Sequence, residues 1–204
     1  MAVFPDDPAA TIPQQFKGLI FDCDGTLVDS MPLHYLAWKQ AMEAVNIHFP
    51  EEQFYSFSGM PTVTIIETLA KEQNVTCDAK ATAEIKERLF LEKIESLEPI
   101  HNVIEIVRRE KGHRKLAVAS GGWKDIINRS LTAVGLNGMF DAIVGADEVQ
   151  HGKPAPDIFL TAAQRLNLKP AECLVYEDGD LGIQAATAAG MQVIDVRPWY
   201  SPKQ

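Results

Sequence analysis

The chain has few cysteines, few basic residues and no long apolar run, and each scarcity excludes a class of protein. Its 204 residues include three cysteines, which are widely separated and never form a Cys-x-x-Cys pair. This usage favours free thiols in a reducing cytoplasm over a disulfide framework or a zinc site, so we expect a cytoplasmic protein. No segment approaches the roughly 20 apolar residues of a membrane span, and the first residues do not resemble a secretory signal.

Basic residues are outnumbered by acidic ones. The chain carries 19 Lys and Arg against 28 Asp and Glu, which gives a formal net charge of −9. Because this charge repels nucleic acid and anionic membrane surfaces, we expect neither as a partner. The length suits one domain with a full core, or a core with a small second module. We expect a monomer by default.

The second half of the chain alternates predicted strands and helices. This alternation is typical of an α/β fold with a parallel sheet and helices on both of its faces. One further strand precedes the alternation and runs Leu-Ile-Phe, as expected of a strand buried on both faces. The predicted strands are 19–21, 115–120, 142–145, 173–176 and 192–196.

The stretch between the first strand and residue 99 has a helical pattern and no convincing strand. Ser30 and Pro32 are suited to the start of a first helix, a second begins near residues 61–62, and a third carries Ile85, Leu89, Phe90 and Ile94. A stretch of this length is too long for a simple crossover. We therefore expect a core of residues 1–29 and 99–204 and a separate helical cap of residues 30–98. Residues 1–15 look like an arm, to which the sequence assigns no role.

Two carboxylates one residue apart, Asp22 and Asp24, directly follow the first strand. The carboxyl ends of strands are where open α/β sheets bind ligands, and two anions at one strand end repel each other unless a cation neutralises them. The pair therefore implies a metal. A calcium-binding loop is the nearest alternative, but it needs a bidentate Glu at its twelfth position, where this chain has Leu33.

Further polar groups follow the other predicted strands, and the parallel arrangement should bring them to one crevice. Hard carboxylate oxygens suit Mg²⁺, whereas Lys, Ser and backbone N–H groups suit phosphate oxygens. A nucleotide P-loop is excluded at Lys153, since Pro154 stands where Ser or Thr is needed. The groups concerned are Ser120, Gly121, Lys153, Glu177 and Asp178.

This order of motifs resembles the haloacid dehalogenase (HAD) superfamily of phosphotransferases over nearly the whole chain. The closer resemblance is to its β-phosphoglucomutase-like branch, which includes bacterial fructose-1-phosphatase-type enzymes. The resemblance implies a Rossmann-like parallel sheet with a helical cap inserted after the first strand. It rests on residues 22–30, His34, Ala37-Trp38, 152–157 and Glu177-Asp178.

The resemblance also implies a role for each matching residue. Asp22 would be the nucleophile that forms an aspartyl-phosphate, and Asp24 the general acid and base. Mg²⁺ would be held by Asp22, by the backbone carbonyl of Asp24 and by Asp178, with Glu177 close by.

Phosphate and substrate contacts follow from the same resemblance. Ser120, Gly121 and Lys153 would hold the transferring phosphoryl group. His34 and Gly59 would face the substrate from the cap. A helical His is often a surface or packing residue, and for His34 that alternative stays open.

We therefore expect a Mg²⁺-dependent phosphatase of a small sugar phosphate such as fructose 1-phosphate. A β-phosphoglucomutase-type mutase is the alternative, but mutases of this branch carry a basic residue after the glycine equivalent to Gly59, and residues 60–64 contain none. Lys71, Lys86 or Arg88 could substitute for it. The third hypothesis is a non-catalytic protein that binds a phosphorylated metabolite. No motif encodes the substrate, which depends on the shape of the cap loops.

Overall fold

The computed structural model describes residues 10–57 and 60–199 and has the predicted α/β architecture. Five strands form one parallel sheet in the order β5-β4-β1-β6-β7, and two short strands, β2 and β3, pair antiparallel. The strands are β1 (Gly18–Phe21), β2 (Val28–Asp29), β3 (Glu98–Pro99), β4 (Lys115–Ala119), β5 (Ala142–Val144), β6 (Cys173–Glu177) and β7 (Gln192–Asp195).

Helices fill the predicted insertion and alternate with the strands of the sheet. Within the described ranges, none of them combines the length and the apolar character that a membrane span requires. The helices are α1 (Met31–Glu43), α2 (Glu51–Ser56), α3 (Thr62–Glu72), α4 (Ala79–Leu91), α5 (His101–Glu110), α6 (Lys124–Ala133), α7 (Asp157–Arg165) and α8 (Asp180–Ala188).

The central strand β1 aligns the ends of its two neighbours. Phe21 lies opposite Val118 of β4 and Tyr176 of β6, so these strands reach their carboxyl ends at nearly the same level. The Phe21 and Tyr176 rings stack with centroids 4.8 Å apart, which fixes this register from one face of the sheet. The residues that follow these strands are therefore placed side by side.

The core lies on both faces of the sheet, which explains why β1 is entirely apolar. Because side chains alternate along a strand, Leu19 and Phe21 enter one buried cluster, and Ile20 enters the other. Cys23 is fully buried in the first of these clusters. Both faces of β1 are thus covered, as the Leu-Ile-Phe run predicted.

The insertion has its own buried cluster, in which α1 packs against α4. Aromatic and aliphatic side chains from its helices and from the loop before α2 form this cluster, among them Trp38, Phe49, Phe54, Ile66 and Leu69. The cluster supports a distinct helical module. The division of the chain into 1–29 with 99–204 and 30–98 stays a prediction.

Three details of the insertion differ from the sequence prediction. Helix α2 was not predicted, because its six residues are too few to show helical periodicity. The expectation of no strand between residues 29 and 99 was wrong at its two ends, where the two-residue strands β2 and β3 pair. Ile94 lies beyond α4, in a 3₁₀ turn, and so is not part of the third predicted helix.

Candidate active site

The carboxyl ends of β1, β4 and β6 bring the predicted site residues together. Backbone hydrogen bonds hold these ends in place: the N–H of Asp22 donates to the carbonyl of Tyr176 at 3.0 Å, and that of Ser120 to the carbonyl of Val144 at 3.1 Å. Glu177 is the last residue of β6. The continuation of the sheet's own hydrogen bonds therefore places carboxylates and a hydroxyl at one edge.

Lys153 lies between two of these carboxylates. Its Nζ is 2.6 Å from Oδ1 of Asp22 and 2.6 Å from Oε1 of Glu177, and its side chain is only 1% exposed. Burial acts to lower the pKa of Lys153, but the two carboxylates outweigh it and hold the pKa above its ordinary value. Lys153 is thus a permanent cation beside the predicted nucleophile.

Asp22 is a buried carboxyl group and Asp178 a partly buried one, and both lie in an anionic neighbourhood. Burial raises the pKa of Asp22 well above its ordinary value, and the nearby Glu177 adds to this, although Lys153 opposes it. Burial and Glu177 likewise raise the pKa of Asp178 to about 7. One ammonium group does not balance three neighbouring carboxylates, so the site is suited to an additional cation.

Gly25 allows Asp178 to approach the chain after β1. Gly25 has a φ of +83°, and a Cβ at this position would overlap the carboxylate of Asp178. The hydroxyl of Thr26 donates to Oδ1 of Asp178 at 2.9 Å. The Asp-Gly-Thr sequence therefore serves the site itself, because it brings one carboxylate against the turn that carries the other two.

Asp24 is held by hydrogen bonds to Oδ1. The hydroxyl of Ser30 donates to this atom at 2.6 Å, and Nε2 of His34 lies 3.0 Å from it. Burial acts to raise the pKa of Asp24, but His34 and Ser30 outweigh it and hold the pKa below its ordinary value. Ser30 occupies the N-cap position of α1 as predicted, yet its hydroxyl bonds to Asp24 and not to the helix.

His34 connects Asp24 to the far side of the insertion. Its Nδ1 lies 3.0 Å from Nζ of Lys86, and its ring stacks on Phe90 with centroids 3.9 Å apart. Lys86 also donates to Oε1 of Glu87 at 3.0 Å. A buried polar chain therefore runs from the sheet into α4, and His34 is part of the site.

Glu87 is a site residue that the sequence analysis missed, and Lys86 was named there only as a substitute for a missing basic residue. Both are buried on α4, on the face that also carries Ala83 and Phe90. The available signal was the helical spacing itself, since residues 83, 86, 87 and 90 share one face. Two charges on an apolar helix face usually mark a buried polar contact.

A cavity of about 90 Å³ lies between the sheet edge and the insertion. Asp22, Asp24, Ser120, Gly121 and Asp178 line it from the sheet side, as predicted. The insertion contributes His34, Trp38, Thr62, Lys86 and Glu87. Gly59 was predicted to face the substrate and lies outside the described residues.

Comparison with known proteins identifies the family to which this architecture belongs. The family model described as haloacid dehalogenase-like hydrolase matches residues 19–196. The chain belongs to this family. The fold and the resemblance inferred from the motifs are thereby confirmed.

Relatives within the haloacid dehalogenase-like family include both phosphatases and mutases. The chain is 38% identical to the fructose-1-phosphate phosphatase YqaB of Escherichia coli, over 90% of this chain and 98% of that protein. It is 30% identical to the β-phosphoglucomutase of Bacillus subtilis, over 88% of this chain and 83% of that protein. These relatives support a phosphatase-type enzyme with the mutase as the alternative.

Solved structures of the family agree with the observed fold. A hydrolase from Pseudomonas syringae superimposes with a TM-score of 0.81 at 27% identity, covering 91% of this chain and 87% of that one. The β-phosphoglucomutase of Clostridium difficile gives a TM-score of 0.80 at 26% identity, covering 88% and 84%.

The donor chemistry of this haloacid dehalogenase-like site fits Mg²⁺. Within residues 10–57 and 60–199, no three His, Cys, Asp or Glu side chains form a cluster that could hold a metal ion. Mg²⁺ does not need such a cage, since one or two carboxylates with water and substrate phosphate oxygens suffice. Asp22 and Asp178 are the carboxylates suited to this role. Lys153 contacts Oδ1 of Asp22, whereas both oxygens of Glu177 are engaged, Oε1 by Lys153 and Oε2 by the N–H of Gly179 at 2.5 Å.

Proposed function

We propose that the protein is a Mg²⁺-dependent phosphatase of a small sugar phosphate similar to fructose 1-phosphate. The observation that carries this proposal is a single cavity lined by Asp22, Asp24, Ser120 and Asp178, with the helical insertion as its opposite wall. The phosphatase YqaB, with 38% identity over nearly its whole length, supports the same choice of substrate.

In the proposed reaction, a carboxylate oxygen of Asp22 attacks phosphorus and forms an aspartyl-phosphate while the sugar alcohol leaves. The hydroxyl of Ser120 and the ammonium of Lys153 bind oxygens of the phosphoryl group and offset their charge. Mg²⁺, when bound, supplies further neutralisation of those oxygens and would be held by Asp22, Asp178 and the backbone carbonyl of Asp24.

Asp24 would carry the proton in both halves of the reaction. It protonates the leaving alcohol and then accepts a proton from the water that hydrolyses the aspartyl-phosphate. The hydrogen bonds from Ser30 and His34 fix the orientation of its carboxylate and favour the ionised form, which is the form that accepts the proton of the water. In the first half of the reaction Asp24 must therefore take up a proton when the substrate binds, and it passes that proton to the leaving alcohol. His34 acts here as a positioning residue, because it belongs to the insertion and contacts Asp24 directly.

The mutase alternative needs a cation that binds a second phosphate from the insertion. Lys86 lines the cavity, but its ammonium already bonds Nδ1 of His34 and Oε1 of Glu87. An anionic Glu87 at the same wall further disfavours a second phosphate there. These contacts support the phosphatase over the mutase. A non-catalytic binding protein is disfavoured because both Asp22 and Asp24 are present and converge.

As partners, we propose the small phosphorylated metabolite alone, without nucleic acid or membrane, acted on by a monomer in the cytoplasm. The haloacid dehalogenase-like relatives and the net charge of −9 support this choice. Light scattering of the purified protein tests the monomer.

The test is phosphate release from a panel of sugar phosphates with and without Mg²⁺. We expect turnover that EDTA abolishes and Mg²⁺ restores, and that falls by at least about 10³-fold in Asp22→Asn and Asp24→Asn. Glu84→Gln, an exposed position on α4, is the matched control and should keep its activity. A wild-type protein that makes glucose 6-phosphate from β-glucose 1-phosphate and a bisphosphate primer, without comparable free phosphate, would contradict the proposal in favour of the mutase.

A further inference from the structure

Glu87 carries a buried oxygen that has no hydrogen-bond partner. Among the buried side-chain nitrogen and oxygen atoms of residues 10–57 and 60–199, Oε2 of Glu87 alone lacks one. The residue is only 6% exposed. Buried polar groups are nearly always paired, and a carboxylate oxygen without a partner is costly, so this atom calls for a functional explanation.

The protein groups around Glu87 are already committed to other contacts. Lys86 and the hydroxyl of Thr62 both donate to Oε1, at 3.0 and 3.4 Å. The ammonium of Lys86 is further fixed by its bond to His34 and by its position 5.5 Å from the ring of Trp38. None of these donors is directed to Oε2, so a donor for Oε2 has to come from elsewhere.

The cavity is the remaining source of a donor, because Glu87 lines it opposite the predicted nucleophile. The other side chains on that wall include Trp38, Phe54 and Ile65. The side chains of Phe54 and Ile65 have no hydrogen-bond donor. A cavity occupant with a hydroxyl group would complete the hydrogen bonding of Oε2. An occupant with a second phosphate would place like charges together.

We propose that Glu87 determines substrate specificity: its Oε2 accepts a hydrogen bond from a hydroxyl group on the uncharged, polyhydroxylated part of the substrate, and its charge rejects a second phosphate. This inference rests on the proposed phosphatase function and deepens it, because it names the chemical class of the leaving group. The aliphatic hydroxyl groups of a monophosphate ester would bind against α4, whereas a bisphosphate would be rejected there.

The experiment compares kcat/KM for fructose 1-phosphate, fructose 1,6-bisphosphate and phenyl phosphate in the wild type and in Glu87→Gln. The wild type should prefer fructose 1-phosphate to both of the others. Glu87→Gln should lower kcat/KM for fructose 1-phosphate by about 10- to 100-fold. It should lower kcat/KM for phenyl phosphate by a factor at least about fivefold smaller, because that substrate has no hydroxyl group for Oε2 to bind. The preference over the bisphosphate should shrink, since the repelling charge is gone.

Two further variants separate specificity from structure. Glu84→Gln removes a charge from an exposed position of the same helix and should leave all three values unchanged. Glu87→Asp keeps the negative charge but shortens the side chain by one methylene group. It should still discriminate against the bisphosphate, but its kcat/KM for fructose 1-phosphate should fall because the carboxylate no longer reaches the hydroxyl group. A purely structural role of Glu87 would lower the three values together, and that result overturns the inference.

Deoxy analogues of fructose 1-phosphate test the wild type directly, even if Glu87→Gln does not fold. At least one analogue should lose about tenfold or more in kcat/KM, and losses below about threefold for every analogue overturn the inference. Failure of the proposed function looks different, because the wild type would then release phosphate from none of these monophosphates. An active wild type with the same substrate ratios in Glu87→Gln contradicts the role of Glu87 alone.

Discussion

A single buried glycine on α8 controls the position of Glu177, and its substitution tests the arrangement at the sheet edge. Gly182 faces the end of β6, and a Cβ built on it would overlap the carboxylate of Glu177 and lie 2.8 Å from its Cγ. Glu177 is 2% exposed and holds Lys153 through a contact of 2.6 Å. Gly182→Ala must therefore displace the side chain that positions the lysine.

The expected change in stability follows from two opposing effects. Ala is better than Gly inside a helix by about 1 kcal/mol. Breaking a buried ion pair by displacing one partner costs about 3–5 kcal/mol, because it leaves uncompensated buried charge. We therefore expect Gly182→Ala to lower the free energy of unfolding by about 2–4 kcal/mol and to reduce phosphate release by about 10²-fold, since Lys153 loses its anchor beside Asp22.

Urea denaturation followed by circular dichroism measures the change in free energy, and a phosphate-release assay measures the activity. The pair Gln184→Gly and Gln184→Ala, at an exposed position of the same helix, isolates the helix-propensity contribution. If Gly182→Ala proved as stable and as active as the wild type, Glu177 could not be fixing Lys153 as described. A stable but inactive variant would instead keep the positioning role and contradict the energetic argument.

Two further predictions concern ionisable groups to which no catalytic role is assigned. Hydrogen bonds from Arg165 lower the pKa of Glu148 to about 2, so the stabilisation is present above the ordinary carboxyl pKa and is lost as the pH falls towards 2. Glu148→Gln should lower the free energy of unfolding by about 1 kcal/mol at pH 7, measured by urea denaturation. The difference in stability between the wild type and the variant should narrow below about pH 4. It would not narrow in this way if the pKa of Glu148 were ordinary. Burial raises the pKa of Cys23 above its ordinary value and that of Cys173 to about 11. A thiol reagent at pH 8 should therefore modify at most the partly exposed Cys77 in the folded protein. Rapid reaction of all three cysteines would show that the segments around the buried thiols unfold readily.

Much of the fold could be predicted because strands buried on both faces and helices with one apolar face leave periodic patterns. Strand β1 was recognised from three apolar residues, and α1 and α3 from their first turns. Helix α2 and the two-residue strands β2 and β3 left no such pattern, since so few residues do not complete a period. These elements form through tertiary contacts, as in the pairing of Val28 with Pro99.

The candidate site likewise has residues that the sequence predicts and contacts that only the structure shows. Asp22, Asp24, Ser120 and Asp178 could be named because each lies within three residues of the carboxyl end of a strand of a parallel sheet, where the topology requires convergence. The sequence did not show which side chains form hydrogen bonds with Asp24. His34 was left open between packing and function. The structure places its Nε2 3.0 Å from Oδ1 of Asp24 and stacks its ring on Phe90, so its functional role stays a prediction.

The sequence by itself determined the sheet, the carboxylates at its edge and the helical nature of the insertion, since these depend on local pattern and on the order of elements. Only the tertiary structure decided which groups neutralise one another. It engages Glu177 with Lys153, and it joins His34 to Lys86 over a separation of 52 residues. It also leaves one oxygen of Glu87 without a partner. Hydrogen bonds and charge pairs depend on distances of a few ångströms between remote segments, and packing fixes those distances only once the helices of the insertion rest against the sheet edge.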